Sequence, residues 1–120
     1  MTRLGHDRLE VVSLDEIDWF EFQHFIAHLF QRLGFGKPEE IQKGSDCERD
    51  VIIHSPEGNL IIIECKHHSK STIGRPTVQK LHSAILTANS RKGYLVTTGK
   101  FLPAAINYAK TLDSTIELVD

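Results

Sequence analysis

The chain has 120 residues, 40% of them apolar and 25% charged, which fits one globular domain with one core. Its longest apolar runs, such as Leu60 to Ile63, fall far short of the ~20 residues a bilayer span needs. A net charge of −2, two cysteines and an N-terminus carrying Asp7 and Glu10 with no apolar stretch exclude a disulfide framework and a secretory signal, so the expected address is cytoplasmic, of prokaryotic type.

In chain order, residues 1–14 read as an N-terminal extension. Residues 15–33 then read as a helix, because Trp19, Phe22, Ile26, Leu29, Phe30 and Leu33 recur at spacings of three and four and form one apolar stripe. Ser13 with Glu16 fits a capping box, and Gly34 fits the position just past the helix end. A short strand is expected near Glu40 to Lys43. Val51 to His54 and Leu60 to Lys66 are β-branched or apolar runs joined by Ser55-Pro56-Glu57-Gly58-Asn59, the composition of a turn, so they predict a hairpin. His67 to Gly74 reads as a polar loop. Pro76 suits the first turn of a second helix whose stripe is Val78, Leu81, Ile85 and Ala88. Tyr94 to Thr97 is the next strand, Pro103 to about Leu112 the next helix, and Thr115 to Val119 the last strand. The sum is an α/β fold with an αβββαβ core, its mixed sheet flanked by helices, and an extra C-terminal helix and strand.

Charge is divided unevenly along this order. Residues 1–63 hold six basic and twelve acidic side chains, while residues 64–100 hold seven basic ones (Lys66, Lys70, Arg75, Lys80, Arg91, Lys92, Lys100) against Glu64 alone. A basic middle segment suits phosphate contact, and an ordinary solvated face is the other reading.

The chemistry concentrates at Ile61-Ile62-Ile63-Glu64-Cys65-Lys66. Alternation puts Glu64 and Lys66 on one face of the strand and Cys65 on the other. Charges at the end of an apolar strand are costly to bury unless paired or bound to a metal. A hairpin symmetric about Glu57 pairs positions whose numbers sum to 114, which sets Asp50 opposite Glu64, with Cβ atoms about 5 Å apart. Two such carboxylates repel unless a cation joins them. Mg²⁺ is at home on one or two carboxylates, waters and phosphate, and the Cys65 carbonyl is a further donor. Lys66, one alternation on, is placed to orient a water or to stabilise charge on a phosphate. On spacing alone, a surface Asp and a Glu–Lys pair at a strand end remain the ordinary alternative.

Four blocks in order resemble the Mrr-type restriction endonuclease family of the PD-(D/E)xK superfamily, which is related to archaeal Holliday-junction resolvases. They are Phe22 to Gly34, Gly44-Ser45-Asp46-Cys47-Glu48-Arg49-Asp50-Val51, Ile63-Glu64-Cys65-Lys66, and Tyr94-Leu95-Val96-Thr97-Thr98-Gly99-Lys100-Phe101 with Ala104-Ala105 beyond. The resemblance implies a single nuclease domain that hydrolyses DNA phosphodiesters with Mg²⁺ or Mn²⁺. Asp50, Glu64 and Lys66 would be its centre, and Asp50, Glu64 and Cys65 its metal donors. Gln79, early in the second helix, is a further catalytic candidate, and Lys70, Arg75, Lys80 and Lys100 are the expected DNA contacts. DNA is the expected partner, in a homodimer because cutting two strands takes two active centres; no membrane and no organic cofactor are expected. A junction resolvase, or a nucleic-acid-binding module that kept the fold and lost turnover, are the alternatives.

The sequence departs from the family pattern in two places. The paired glycines of the second block are Cys47 and Glu48, which resist the positive φ that glycine permits. The opening helix, where the family often carries a glutamate near the metal, has Gln23; Glu21 is two residues away, about 200° around the helix. Gln23 can orient a water, and the resemblance implies one metal site without implying a second. His24 and His28 share a helix face with no third ligand in view and read as a surface pair. Cys65 reads as a small core residue, Tyr94 and Phe101 as core aromatics, and His67 and His68 as open to phosphate.

Overall fold

The computed structural model describes residues 18–40, 51–66 and 72–120. Within them the first apolar stripe forms α1 (Trp19–Arg32), capped by Asp18, whose carboxylate accepts the Glu21 N–H at 2.8 Å. The helix therefore starts later than the spacing predicts, because an Asx cap satisfies its first turn; Ser13 and Glu16 lie outside the described residues. Its end is a Schellman motif. Gly34 (φ +91) donates to Gln31 C=O at 3.0 Å, Phe35 donates to Phe30 C=O at 3.1 Å, and the Phe30 and Phe35 rings meet at 4.9 Å. Leu33, read as part of the stripe, is instead the C-cap and 64% exposed.

Four strands follow: β1 (Lys37–Pro38), β2 (Val51–His54), β3 (Leu60–Lys66) and β4 (Thr72–Ile73). Of the strand expected near Glu40 to Lys43, Glu40 is not in a strand and residues 41–43 lie outside the described residues, while β1 ends at Pro38. β2 and β3 form the antiparallel hairpin in the expected register, Val51 opposite Ile63 and His54 opposite Leu60. After β4 come α2 (Arg75–Thr87), β5 (Lys92–Thr97), β6 (Lys100–Phe101), α3 (Pro103–Lys110) and β7 (Ile116–Val119). The two-residue strands β4 and β6 pair with each other, parallel, as a separate small sheet. Neither carries a periodicity that a sequence can display.

The main sheet runs β1-β2-β3-β5-β7, antiparallel through β3 and parallel beyond it. Helices cover both faces, as a mixed sheet of this kind requires. On one face α1 sends Phe22, Ile26, Ala27 and Phe30 against Val51, Ile53, Ile61, Ile63 and Cys65. On the other, Val78, Leu81 and Ile85 of α2 and Ala105 and Ala109 of α3 pack on Ile62, Leu95 and Ile116. Tyr94 joins the first cluster, where burial pushes its phenol above the ordinary value and the Glu117 carboxylate adds to the rise. Tyr94 and Phe101 are thus packing residues.

One backbone position is unusually demanding. Gly36 has φ +146, and a Cβ there would run into the His54 carbonyl at the end of the neighbouring strand β2. Gly36→Ala is expected to cost roughly 2–3 kcal/mol. Gly34→Ala, whose Cβ would meet open space, should cost about 1 kcal/mol. Urea unfolding of the two variants checks the order.

Candidate active site

β3 and β5 run parallel, and both end beside the small β4–β6 sheet. In sheets of this class, ligands bind outside the carboxyl ends of the strands. Glu64 and Lys66 occupy that end of β3. They alternate with Ile63 and Cys65, so they project toward the α2–α3 face while Cys65 points into the α1 cluster. Lys66 Nζ lies 3.3 Å from Glu64 Oε2, with the two side chains 23% and 5% exposed. An apolar strand thus ends in a carboxylate nearly removed from water, with an ammonium beside it that still reaches solvent. Such an arrangement is costly to maintain, which makes this strand end a candidate site.

Val51, the residue after Asp50 in sequence, stands opposite Ile63, the residue before Glu64. Asp50 itself lies outside the described residues, as do Cys47, Glu48, His67, His68 and Lys70. Cys65 is buried in the cluster on the opposite face of the sheet, so its side chain does not face the Glu64 side.

Gln79 is half-buried on α2, the helix that covers the Glu64 face. Gln23 is 1% exposed on α1, among residues packed on the opposite face of the sheet. Glu21, two residues before it, is exposed and its N–H is held by the Asp18 cap. His24 and His28 are both exposed, His24 standing edge-on to Phe20 at 4.5 Å.

The basic segment does not form one surface. Lys92 begins β5, at the end of the sheet away from Lys66, and is tied down there by the Ser114 carbonyl and the Glu117 carboxylate, each at 2.7 Å. Arg75 and Lys100 belong to the Lys66 end, since Thr72 pairs with Lys100 and α2 begins at Arg75. Both are exposed; Arg75 also lies 5.1 Å from the centre of the Tyr108 ring. Lys80 is exposed further along α2.

The donor set suits one kind of cation. Among the described residues no three of His, Cys, Asp and Glu gather closely enough to hold a metal ion by themselves. The nearly buried Glu64 carboxylate is a hard oxygen donor, of the kind taken by an ion that keeps several waters, as Mg²⁺ does.

A match to a known family accompanies this geometry: residues 14–120 match Mrr_cat, described as restriction endonuclease. The chain belongs to the Mrr_cat family. The Mrr_cat match spans both helical faces and the strand end carrying Glu64 and Lys66. Two solved structures share the fold. One, "Structure of EndoMS in apo form", is 17% identical with a TM-score of 0.58, over 82% of this chain and 45% of that one. The other, "Crystal Structure of Protein of Unknown Function AF1548", is 25% identical with a TM-score of 0.64, over 84% of this chain and 57% of that one. The chain thus spans about half the length of each. No curated protein matches it. No helix among the described residues is long and apolar enough to cross a membrane.

Proposed function

We propose that this Mrr_cat domain is a Mg²⁺- or Mn²⁺-dependent endodeoxyribonuclease that works on DNA inside the cell, centred on Asp50, Glu64 and Lys66. The observation that carries the reading is the nearly buried Glu64 carboxylate 3.3 Å from the Lys66 ammonium at the carboxyl end of β3. The β2–β3 register, in which Val51, the sequence neighbour of Asp50, stands opposite Ile63, the sequence neighbour of Glu64, and membership of a restriction endonuclease family support it.

Asp50, Glu64 and the Cys65 carbonyl would hold the ion. When bound, it supplies Lewis acidity to a phosphodiester and lowers the pKa of a bound water. Glu64 is kept ready for that role by burial, which strengthens its field in a low-dielectric setting, and Lys66 keeps the carboxylate compensated beforehand. Lys66 also has enough exposure to meet substrate, where its ammonium orients the attacking water and offsets negative charge growing on the phosphate oxygens. Gln79, on the helix that covers the same face, would hydrogen-bond that water. Exposed Arg75, Lys80 and Lys100, with Lys70, supply phosphate contacts that hold the duplex against the strand ends. Two copies would give one centre per strand.

The substrate test compares supercoiled plasmid, linear duplex and a four-way junction in Mg²⁺. Cutting of plasmid and duplex is the expected outcome. Cutting confined to the junction would replace this reading with a resolvase, and binding without cutting of any of the three would replace it with a binding module.

A further inference from the structure

β3 carries the proposed centre at its last two alternating positions, and its two ends are held by two different side-chain hydroxyls. At the start, Ser90 Oγ donates to Leu60 C=O at 2.6 Å. At the finish, Thr97 Oγ1 donates to Lys66 C=O at 2.8 Å and in turn accepts the Gly99 N–H at 2.9 Å. The Thr98 N–H also donates to Lys66 C=O, at 3.3 Å. The Thr98 hydroxyl, by contrast, is buried without a hydrogen-bond partner among the described residues, so the turn holds Lys66 through Thr97 and one backbone N–H.

Thr97 is 3% exposed and pairs directly with Lys66 in the parallel β3–β5 register. Its hydroxyl is therefore fixed from both sides: it donates to one strand end and accepts from the turn that leaves the other. A strand end with no such tie frays, because the last ladder bonds are the least protected. The peptide that Thr97 grips is the one that leaves the Lys66 Cα, from which the ammonium stem also departs.

We infer that Thr97 is a positioning residue for the reaction: it locks the Lys66 backbone through the Lys66 carbonyl and so fixes where the ammonium stands. This rests on the nuclease reading of Lys66. The effect belongs to the chemical step, since misplacing a catalytic group by a fraction of an ångström to one ångström slows turnover without changing how the duplex is held.

The test uses the whole chain and three variants. Thr97→Val keeps the shape and removes the hydroxyl; Thr97→Ser restores it; Ser90→Ala removes the matching tie at the far end of the same strand. In Mg²⁺-dependent plasmid cleavage, Thr97→Val is expected to lose roughly ten- to a hundredfold in kcat with little change in KM. Thr97→Ser should recover most of the rate, and Ser90→Ala should cut as the wild type does. Wild-type turnover in Thr97→Val, or an equal loss in Ser90→Ala, would overturn the inference, the latter by showing that general loosening of β3 is the cause. Hydrogen exchange at the Thr98 amide gives a readout independent of activity. It should quicken in Thr97→Val and not in Ser90→Ala; an unchanged Thr98 amide in Thr97→Val overturns the inference even where the wild type cuts. If the wild type cuts no DNA, the nuclease reading falls, and the Thr98 amide still decides whether Thr97 fixes Lys66.

Discussion

Lys66→Met is expected to lower the rate of DNA cleavage by about 10²–10³-fold at saturating substrate. Methionine keeps the unbranched stem and removes the charge, so the change isolates the ammonium from its packing. Two consequences separate this role from metal binding. The Glu64 carboxylate, 5% exposed and 3.3 Å from the Lys66 Nζ, loses its compensating charge, and the metal-free protein should lose about 1–3 kcal/mol. Mg²⁺ should then stabilise the variant at least as well as the wild type, because the cation no longer competes with an ammonium for the same oxygen. Single-turnover cleavage and urea unfolding with and without Mg²⁺ give all three quantities. A variant that cuts at the wild-type rate would leave Lys66 as a structural partner of Glu64 only.

Glu64→Gln has the opposite signature. It keeps size and hydrogen-bonding capacity while removing the charge, and the Lys66 ammonium left behind is 23% exposed and can be hydrated. The metal-free variant should be as stable as the wild type or more so, because a nearly buried charge is maintained at a cost to the fold. Cleavage should fall by 10³-fold or more, on the order of the loss of a metal ligand together with its electrostatic contribution. Stabilisation by Mg²⁺ should vanish with it. In the wild type that stabilisation is expected to be about 1.4 kcal/mol when free Mg²⁺ stands at ten times its dissociation constant. Thermal unfolding over a Mg²⁺ series reads this without any DNA. Retained Mg²⁺ stabilisation in Glu64→Gln would move the ion elsewhere.

Much of the framework was legible because it is written in local chemistry. The turn Ser55 to Asn59 is symmetric about Glu57, and the pairing it implies, Val51 with Ile63, is the pairing found. Gly34 marked a helix end because only a residue at ease with positive φ closes a Schellman motif there. Val78, Leu81 and Ile85 announced α2 by spacing, and all three are buried. Features set by distant partners were not legible. β4 and β6 are two residues each and exist because Thr72 and Ile73 meet Lys100 and Phe101 across a chain reversal. Leu33 looked like one more stripe residue until the cap placed it outside the helix.

The candidate centre divides the same way. Glu64 and Lys66 could be placed on one face by alternation alone, and their 3.3 Å contact agrees with that placement. Which helix covers that face depends on the order of strands in the sheet. Only that order puts α2, and hence Gln79, over the Glu64 side and α1, and hence Gln23, over the other. The tie from Thr97 to Lys66 was hidden for the same reason, since it requires β5 to lie parallel to β3 in one register. The basic segment 64–100 looked like one surface in sequence, but the fold sends Lys92 to the far end of the sheet, into an ion pair with Glu117.

The most direct measurement is cleavage of supercoiled plasmid by the whole chain in Mg²⁺, set beside the same reaction with chelator and with Asp50→Ala. The expected result is conversion to nicked and linear forms by the wild type alone, with chelator and the Asp50 substitution each reducing it to background. Cutting that survives both would contradict a metal-dependent centre built across the β2–β3 hairpin from Asp50 and Glu64.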